Sequence, residues 1–131
     1  MRIYLDTSAL VKLVVAEGES QALKHFLGAN AEDNLFSAAL ARTELIRAVA
    51  PNGAKAIAAG RDLLNRLDTV MLTRQLLDDA GTLLPPRLRS LDAIHLAAAK
   101  RAGDALRAVI TYDARMLSAA ADLGISTVSP R

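Results

Sequence analysis

The stretch RIYLDTSALV, residues 2 to 11, decides the fold class, because an apolar run in it ends on an acid. Residues 3 to 5 have the apolar character of a short strand that is buried on both faces. Asp6 follows directly, and Thr7 and Ser8 add two hydroxyl groups. Ligands of an open α/β sheet bind outside the carboxyl ends of its parallel strands. The stretch therefore predicts a buried first strand with Asp6 at the ligand-binding edge of a sheet.

The rest of the chain alternates between strand patterns and helix patterns, which favours a mostly parallel sheet covered by helices. Strands are predicted at residues 2 to 6, 34 to 37, 69 to 72, 108 to 111 and 125 to 128. Helices are predicted at residues 8 to 15, 19 to 28, 38 to 49, 53 to 67, 74 to 84, 90 to 102 and 114 to 122. Thr73 and Ser90 stand where helix caps belong, and Gly103 and Gly124 fall where helices should stop. We expect a three-layer α/β/α fold with a parallel sheet of about five strands, in one domain over residues 1 to 131.

Composition narrows the classes of function. Hydrophobic residues make up 52% of the chain and aromatic residues only 3%, which disfavours a nucleic-acid platform that stacks bases on aromatic rings. The chain has no cysteine, which excludes disulfides, thiol nucleophiles and zinc-thiolate sites. It has no signal-peptide pattern and no apolar run that reaches about 18 residues. We therefore expect a cytoplasmic protein with no membrane partner.

The formal net charge is only +2, but it is unevenly distributed along the chain. Residues 1 to 33 hold 3 basic and 5 acidic residues, whereas residues 34 to 115 hold 12 basic and 8 acidic residues. If some of the acids serve a metal site, the remaining surface is more positive than the total indicates. Such a surface suits a polyanionic partner.

Four acids occur where the local pattern predicts burial or the end of an element. Asp6 ends the first predicted strand, and Asp113 directly follows the strand-like segment AVITY. Asp92 lies in the first turn of a nearly uncharged helix, and Glu44 borders the apolar stripe of another helix. Converging carboxylates repel one another, so such a group implies either a bound cation or a raised pKa.

Three of these acids also have a simpler explanation when each is taken alone. Asp92 complements the dipole of its helix, which Ser90 would cap. Asp113 could cap the helix that follows it, and Glu44 could form a surface ion pair with Arg47 at the i+3 position. Asp6 has no such explanation at this stage, because the hydroxyls that follow it would already cap the next helix.

The chemistry that suits four clustered carboxylates is metal-assisted hydrolysis of a phosphodiester. Carboxylate oxygens suit Mg²⁺ or Mn²⁺, and zinc is disfavoured because the chain lacks cysteine and a histidine pair in metal spacing. Such a metal lowers the pKa of a bound water and neutralises charge on the scissile phosphate. The hydroxyls of Thr7, Ser8 and Thr111 could orient the carboxylates or the waters. No side chain need act as the nucleophile.

These residues resemble the PIN-domain family, and within it the VapC-like ribonuclease toxins of bacterial toxin-antitoxin pairs. The resemblance rests on four segments, which occur in the family's order and span the whole chain: YLDTSALVKL, SAALARTELIRAV, SLDAIHLAAAKRAG and VITYDARML. Each segment alone is a weak signal, since a strand that ends in DTS is common. Four segments in order within 131 residues make a specific one.

The resemblance implies a compact α/β/α fold and an RNA endonuclease site that depends on Mg²⁺ or Mn²⁺. By position, the family's acidic quartet falls on Asp6, Glu44, Asp92 and Asp113, with Ser8 and Thr111 at its hydroxyl positions. The resemblance also implies a homodimer and a cognate antitoxin that holds the enzyme inactive and often places a basic side chain in the acidic pocket. The implied substrate is transfer RNA or ribosomal RNA.

Basic residues stand close in sequence to two of the implied ligands, Glu44 and Asp92, and a further one lies on the helix after Asp6. They are candidates for contacts with RNA phosphates on either side of the cut. The candidates are Lys12, Arg42, Arg47, Arg87 and Arg89. The alternative for each of them is an ordinary solvated surface charge.

His95 lies three residues after Asp92 and invites a role as a ligand or a general base. A buried histidine with one satisfied hydrogen bond is common, so the favoured interpretation is packing within its helix. Sequence alone leaves a catalytic role for His95 as the less favoured alternative.

Two other functions stay open at this stage. In the first, the acids are mostly helix caps and the protein only binds RNA or another protein, although clustered negative charge does not favour RNA binding. In the second, Asp6 attacks phosphate covalently, as in haloacid-dehalogenase phosphatases. That family needs a second Asp two residues later as metal ligand and general acid, and Ser8 occupies this position here.

Overall fold

The computed structural model describes all residues from 1 to 131, which form a five-stranded sheet and seven α-helices. The strands are β1 (Arg2–Leu5), β2 (Asn34–Ala38), β3 (Asp68–Val70), β4 (Leu106–Ile110) and β5 (Thr127–Val128). The helices are α1 (Thr7–Val14), α2 (Ser20–Ala29), α3 (Ala41–Val49), α4 (Ala54–Asn65), α5 (Arg74–Gly81), α6 (Ser90–Lys100) and α7 (Ala114–Asp122). Two short 3₁₀ segments, Ala50–Asn52 and Gly103–Ala105, complete the regular structure.

The sheet has the strand order β3-β2-β1-β4-β5, and every pair of neighbouring strands is parallel. The chain first builds outward from β1 to β3 and then returns to place β4 on the other side of β1. The boundary between β1 and β4 is therefore the topological switch point, where open α/β sheets leave a crevice for ligands. The predicted three-layer fold with five parallel strands is confirmed.

Alternation along β1 divides the core between the two faces of the sheet. The fully buried Ile3 and Leu5 pack in one apolar cluster with Leu10, Leu23 and residues of α3 and α4. Tyr4, one residue away on the opposite face, packs in a second cluster with residues of α5 and α6. Buried alanines dominate the inner side of α6, so its backbone approaches the sheet closely. The fold thus places α3 and α6 on opposite faces of β1, near the edge that carries Asp6.

Several predicted boundaries shift by a few residues. Helix α3 begins at Ala41 rather than at residue 38, because β2 continues to Ala38. The Ala39 N–H then donates to the carbonyl oxygen of Val70 at 2.8 Å, which extends the pairing with β3. Helix α5 ends at Gly81, three residues before the predicted end. The positive φ angles of Gly103 and Gly124, 55° and 70°, confirm the predicted helix stops, because side chains disfavour that conformation.

The two predicted helix caps have different outcomes. Thr73 caps α5, since its hydroxyl oxygen accepts a hydrogen bond from the Leu76 N–H at 3.2 Å. The prediction for Ser90 is wrong, because Ser90 is already the first residue of α6 and Arg89 holds the cap position without a side-chain cap. Asp92 therefore lies in the first turn of a helix whose N-terminal N–H groups have no side-chain cap.

No helix of the fold combines the length and the apolar composition that crossing a membrane requires.

Replacement of Leu45 measures how much the packing of helix α3 on the sheet stabilises the fold. Its side chain is fully buried in the cluster on the α3 face, so Leu45→Ala is expected to lower the free energy of unfolding by about 2 to 5 kcal/mol. Leu77→Ala on α5 is the matched control, because that side chain is 43% exposed; it should cost less than about 1 kcal/mol. Urea unfolding measures both, and equal losses would contradict the burial of Leu45.

Candidate active site

The register between β1 and β4 brings two polar residues together at the switch point. Leu5 pairs with Ile110, so the next residues, Asp6 and Thr111, emerge side by side from the carboxyl ends of the two strands. The Asp6 N–H extends the pairing by one step, donating to the carbonyl oxygen of Ile110 at 3.2 Å. The first predicted feature of the sequence, an acid at the ligand-binding edge, thus lies at the crevice of the fold.

The carboxylate of Asp6 is only 3% exposed and accepts three hydrogen bonds. Oδ1 accepts from the Ser8 hydroxyl at 2.6 Å and from the Ala9 N–H at 3.0 Å, and Oδ2 accepts from the Thr111 hydroxyl at 2.5 Å. Burial nevertheless raises the pKa of Asp6 above its usual value, and the hydrogen bonds only partly oppose this effect. Asp6 is thus a buried acid whose charged form is held in one fixed orientation.

The expectation that Asp6 lacks a capping role is wrong. Asp6 is itself the N-cap of α1, because its side chain accepts the Ala9 N–H. The Ser8 hydroxyl, one of the two that were expected to cap that helix, instead donates to Asp6 and accepts the Tyr112 N–H at 2.9 Å. A cap alone does not require burial of the carboxylate or a second hydroxyl donor from another strand. The capping role therefore explains only part of this environment.

Thr111 links the second strand end to the same carboxylate. Its O–H group donates to Asp6, and its oxygen accepts the Asp113 N–H at 3.1 Å, which fixes the backbone just before α7. The side chain of Asp113 caps α7, accepting the N–H groups of Arg115 at 2.8 Å and Met116 at 3.3 Å. The predicted cap at Asp113 is confirmed, and the residue is exposed to solvent at the same edge as Asp6.

Glu44, in the first turn of α3, is oriented by two donors on other helices. Its Oε1 atom accepts from the Thr7 hydroxyl at 2.7 Å and makes a 2.5 Å hydrogen bond with Nε2 of His95. Burial alone would raise the pKa of Glu44, but the hydrogen bonds from His95 and Thr7 outweigh it and hold the pKa below its usual value. The predicted ion pair between Glu44 and Arg47 is wrong, because the carboxylate has His95 as its only charged or ionisable partner.

Asp92 experiences the negative charge of its neighbours. Burial is the largest cause that raises its pKa, the charge of Asp113 is the second, and the charge of Asp6 adds to them. The charge of Arg89 acts in the opposite direction without cancelling this effect. The charges of Asp113 and Asp6 thus add to the effect of burial in opposing the ionisation of Asp92.

The donor set fits a hard divalent cation by its chemistry. Every acid of the predicted quartet offers carboxylate oxygens. A bound cation would relieve the repulsion that Asp113 and Asp6 exert on the charge of Asp92. As the side chains stand, however, no group of three or more acidic or histidine residues is arranged to hold one ion. By their chemistry, Asp6, Glu44, Asp92 and Asp113 are the residues that could hold Mg²⁺ or Mn²⁺.

A cleft of about 480 Å³ opens beside Asp92, between the start of α6 and the outer side of α7. Three arginines line it, namely Arg87, Arg89 and Arg115, and none of them forms an ion pair. Part of its wall is apolar, from Leu88 and other residues of these segments. A cleft with three free guanidinium groups beside an acidic centre is suited to the phosphates of a polyanion.

The other predicted basic residues have different surroundings. Lys12 is committed to Glu17 and Glu19, with N···O distances of 3.3 and 2.9 Å, and its side chain is only 11% exposed. Arg42 and Arg47 are exposed on α3, and Arg42 donates to the side-chain oxygen of Asn65 at 3.3 Å. Lys12 therefore has little capacity left for a phosphate, whereas the arginines on α3 keep most of theirs.

Comparison with known proteins gives three findings. The family model described as PIN domain matches residues 3–122. Ribonuclease VapC46 of Mycobacterium tuberculosis is 48% identical over 128 residues, which cover 98% of this chain and 97% of that protein. Ribonuclease VapC47 of the same organism is 43% identical over 131 residues, which cover 98% of this chain and 96% of that protein.

The chain belongs to the PIN-domain family. Among solved structures, the crystal structure of Mycobacterium tuberculosis VapC20, whose description calls it a sarcin-ricin loop cleaving toxin, matches with a TM-score of 0.78. The match covers 98% of this chain and 99% of that chain at 18% sequence identity, so it supports the fold alone. Family, relatives and fold together identify this PIN domain as VapC-like, as the sequence motifs indicate.

Sequence reasoning missed two features of the PIN-domain site. The first is the pair Tyr4 and His95, which reaches Glu44 from the core through 2.5 Å hydrogen bonds. The position of His95, on the same face of α6 as Asp92, was the available signal. The second is Arg115, whose place in the cleft depends on α7 lying beside the start of α6. No local pattern around Arg115 reveals that neighbour.

Asp92 tests whether the carboxylates repel one another. Asp92→Asn should raise the free energy of unfolding of the metal-free protein at neutral pH, because a raised folded-state pKa makes the charged form destabilising. The gain should vanish below about pH 4, where Asp92 is protonated in both the folded and the unfolded chain. Urea unfolding in EDTA, from neutral pH to below about pH 4, measures the free energy of unfolding of both proteins.

The matched control for this prediction is Asp78→Asn, which removes one exposed carboxylate from α5. If both variants change stability equally at neutral pH, net charge accounts for the effect and the local repulsion at Asp92 is contradicted.

Proposed function

We propose that this protein is a metal-dependent endoribonuclease that acts as the toxin of a toxin-antitoxin pair. One observation carries the proposal: Asp6 is buried at the switch point with hydrogen bonds to both carboxylate oxygens, and a cleft lined by Asp92 and three unpaired arginines opens at the same edge. Acids that repel one another next to a site for phosphates suit a cation-dependent cut in a phosphodiester. The relatives VapC46 and VapC47 are named ribonucleases, which supports RNA as the substrate.

Asp6, Glu44, Asp92 and Asp113 are the residues proposed to hold Mg²⁺ or Mn²⁺. A bound ion of this kind supplies a Lewis acid and a water of lowered pKa. The chain's own contribution is orientation. Asp6 is fixed by hydroxyls on both of its oxygens, and Glu44 is fixed at Oε1. Carboxylates that are already oriented lose little freedom when a cation and a substrate arrive.

The cleft beside Asp92 is proposed to hold the RNA on one side of the cut. Arg87, Arg89 and Arg115 would bind phosphates there, and Leu88 offers apolar surface to a base or a ribose. Arg42 and Arg47 on α3 would bind phosphates on the other side, next to Glu44. We do not extend this role to Lys12, because two glutamates already pair with it.

The partners follow from the same proposal. The substrate is transfer RNA or ribosomal RNA, which places the activity in the cytoplasm. A cognate antitoxin would cover the acidic centre with a basic side chain, since the repulsion at Asp92 favours any added positive charge. The active form is proposed to be a homodimer, as the resemblance to VapC-like toxins implies.

A second candidate, a binding module without catalysis, has one observation in its favour. Asp6 and Asp113 both cap helices, so two members of the quartet have a structural role. Capping does not account for the buried hydroxyl donors of Asp6 or for the orientation of Glu44 from two other helices. A phosphatase of the haloacid-dehalogenase type is less suited, because Ser8 stands in the place of the required second Asp. The Ser8 hydroxyl donates a hydrogen bond to Asp6.

Asp6 provides the direct test of the metal site. Asp6→Asn removes the negative charge, and we expect at least about a 100-fold loss of Mn²⁺-dependent RNA cleavage, since even partners of metal ligands cost about 10- to 100-fold. Asp113→Asn should show a similar loss and is exposed, which guards against an effect through folding. Cleavage of total RNA with end-mapping, and Mn²⁺ calorimetry, measure the two effects.

Asp78→Asn, on the outer side of α5, is the control and should cleave as the wild type does. Undiminished cleavage by both site variants would refute the metal-site proposal. Mn²⁺ binding by folded wild-type protein that cleaves no RNA would favour a different substrate, and absence of both would favour the binding module.

The cleft arginines are tested by the salt dependence of RNA binding. In EDTA, which prevents cleavage, the double variant Arg87→Ala and Arg89→Ala should bind single-stranded RNA more weakly. The slope of log affinity against log salt should become shallower by about 1.4, or about 0.7 for each lost phosphate contact. The matched control is Lys55→Ala with Arg61→Ala on α4, where the slope should not change. An unchanged slope in the cleft variant would return these arginines to ordinary surface charges.

A further inference from the structure

A chain of hydrogen-bonded groups runs from the sheet through the core to Glu44. The Ala38 N–H, at the end of β2, donates to the phenol oxygen of Tyr4 at 3.2 Å. The phenol makes a 2.5 Å hydrogen bond with Nδ1 of His95, and Nε2 of His95 makes another of 2.5 Å with Oε1 of Glu44. Tyr4 is fully buried and His95 is 3% exposed, so water does not compete for these contacts.

The phenol of Tyr4 has one proton to donate in this chain. Its oxygen accepts the Ala38 N–H, so that proton is available to Nδ1 of His95. With Nδ1 as the acceptor, the ring proton of His95 resides on Nε2 and is donated to Glu44.

The consequence for Glu44 is an asymmetric carboxylate. Both of its donors, Thr7 and His95, bind Oε1, and Oε2 has no hydrogen-bond partner. Both ring nitrogens of His95 are hydrogen-bonded, which holds the ring at each end. The ring also contacts Tyr4 edge-on, with centroids 5.8 Å apart and planes at 74°, which restricts its rotation.

We propose that Tyr4 and His95 are positioning residues for Glu44. Tyr4 fixes the His95 ring with its Nε2–H toward Glu44, and His95 holds Oε1 so that Oε2 is free to bind the divalent cation. The cation in this statement rests on the proposed function. The hydrogen-bond chain itself does not, and it is tested separately.

The first experiment locates the ring proton in the metal-free wild-type protein. The chain has only two histidines, and the other, His25, is exposed on α2, so ¹⁵N labelling of histidine gives two easily assigned rings. We expect His95 to carry its proton on Nε2, with Nδ1 at the shift of a hydrogen-bond acceptor. Tyr4→Phe should move the Nδ1 resonance, Glu44→Gln should move the Nε2 resonance, and neither should move those of His25. A ring proton on Nδ1 would overturn the proposal.

The second experiment asks whether His95 acts through Glu44. His95→Leu removes both ring nitrogens and should weaken Mn²⁺ binding about 10- to 100-fold, with a loss in kcat and little change in KM for RNA. In a Glu44→Gln background the same substitution should have no further effect on Mn²⁺ affinity. His95→Gln keeps an N–H donor on the side chain and should restore part of the affinity. Tyr4→Phe should produce a smaller loss that also disappears in the Glu44→Gln background.

Equal losses in both backgrounds would overturn the proposal, because they would show that His95 supports the fold rather than Glu44. Circular dichroism and thermal unfolding of each variant identify any loss that comes from misfolding, and the wild-type NMR result decides the proposal if the substitutions do not fold. If the wild-type chain neither binds Mn²⁺ nor cleaves RNA, the proposed function fails. The position of the His95 proton then still decides whether the chain from Tyr4 to Glu44 exists.

Discussion

The buried hydrogen bond between Thr111 and Asp6 is the contact on which the rest of the site depends. It joins the ends of the two strands that meet at the switch point, and it is supported by the pairing of Leu5 with Ile110. An ionised carboxylate at this depth is costly unless donors surround it. Two hydroxyls and one backbone N–H lower that cost in part, and they also fix the start of α1 and the approach to α7. The location of the acid and the local backbone therefore constrain each other.

Stability and function compete at this edge of the sheet. The burial of Asp6 and the charges around Asp92 both disfavour the ionised state that a cation site needs. Elsewhere the fold has no such conflict, because its polar side chains are exposed or paired and no buried side-chain polar atom lacks a partner. Proteins tolerate local cost of this kind where the groups serve a ligand. The concentration of that cost at one edge is consistent with the proposed role of the four acids.

Local patterns were enough to predict the architecture. Alternating apolar segments predicted all five strands and seven helices, and the positions of Asp6 and Asp113 at strand ends placed these two acids at one edge. The sequence did not reveal that Asp6 would cap α1 in place of Ser8, since that choice depends on Thr111, which is 105 residues away. The role of His95 was missed for the same reason. Its partners, Tyr4 and Glu44, lie 91 and 51 residues away, and neither is visible from the helix that carries it.

The contact between His95 and Glu44 also has a temporal consequence. Helix α3 belongs to one face of the sheet and α6 to the other, so their side chains meet only after both layers have docked on β1. Asp92, Thr111 and Asp113 come from the last third of the chain to be synthesised. Contacts between such distant residues form late in folding, because the intervening loops must close first. A nascent or partly folded chain therefore lacks the complete set of four acids at the edge of the sheet. The activity proposed for this site begins only when the whole domain has folded.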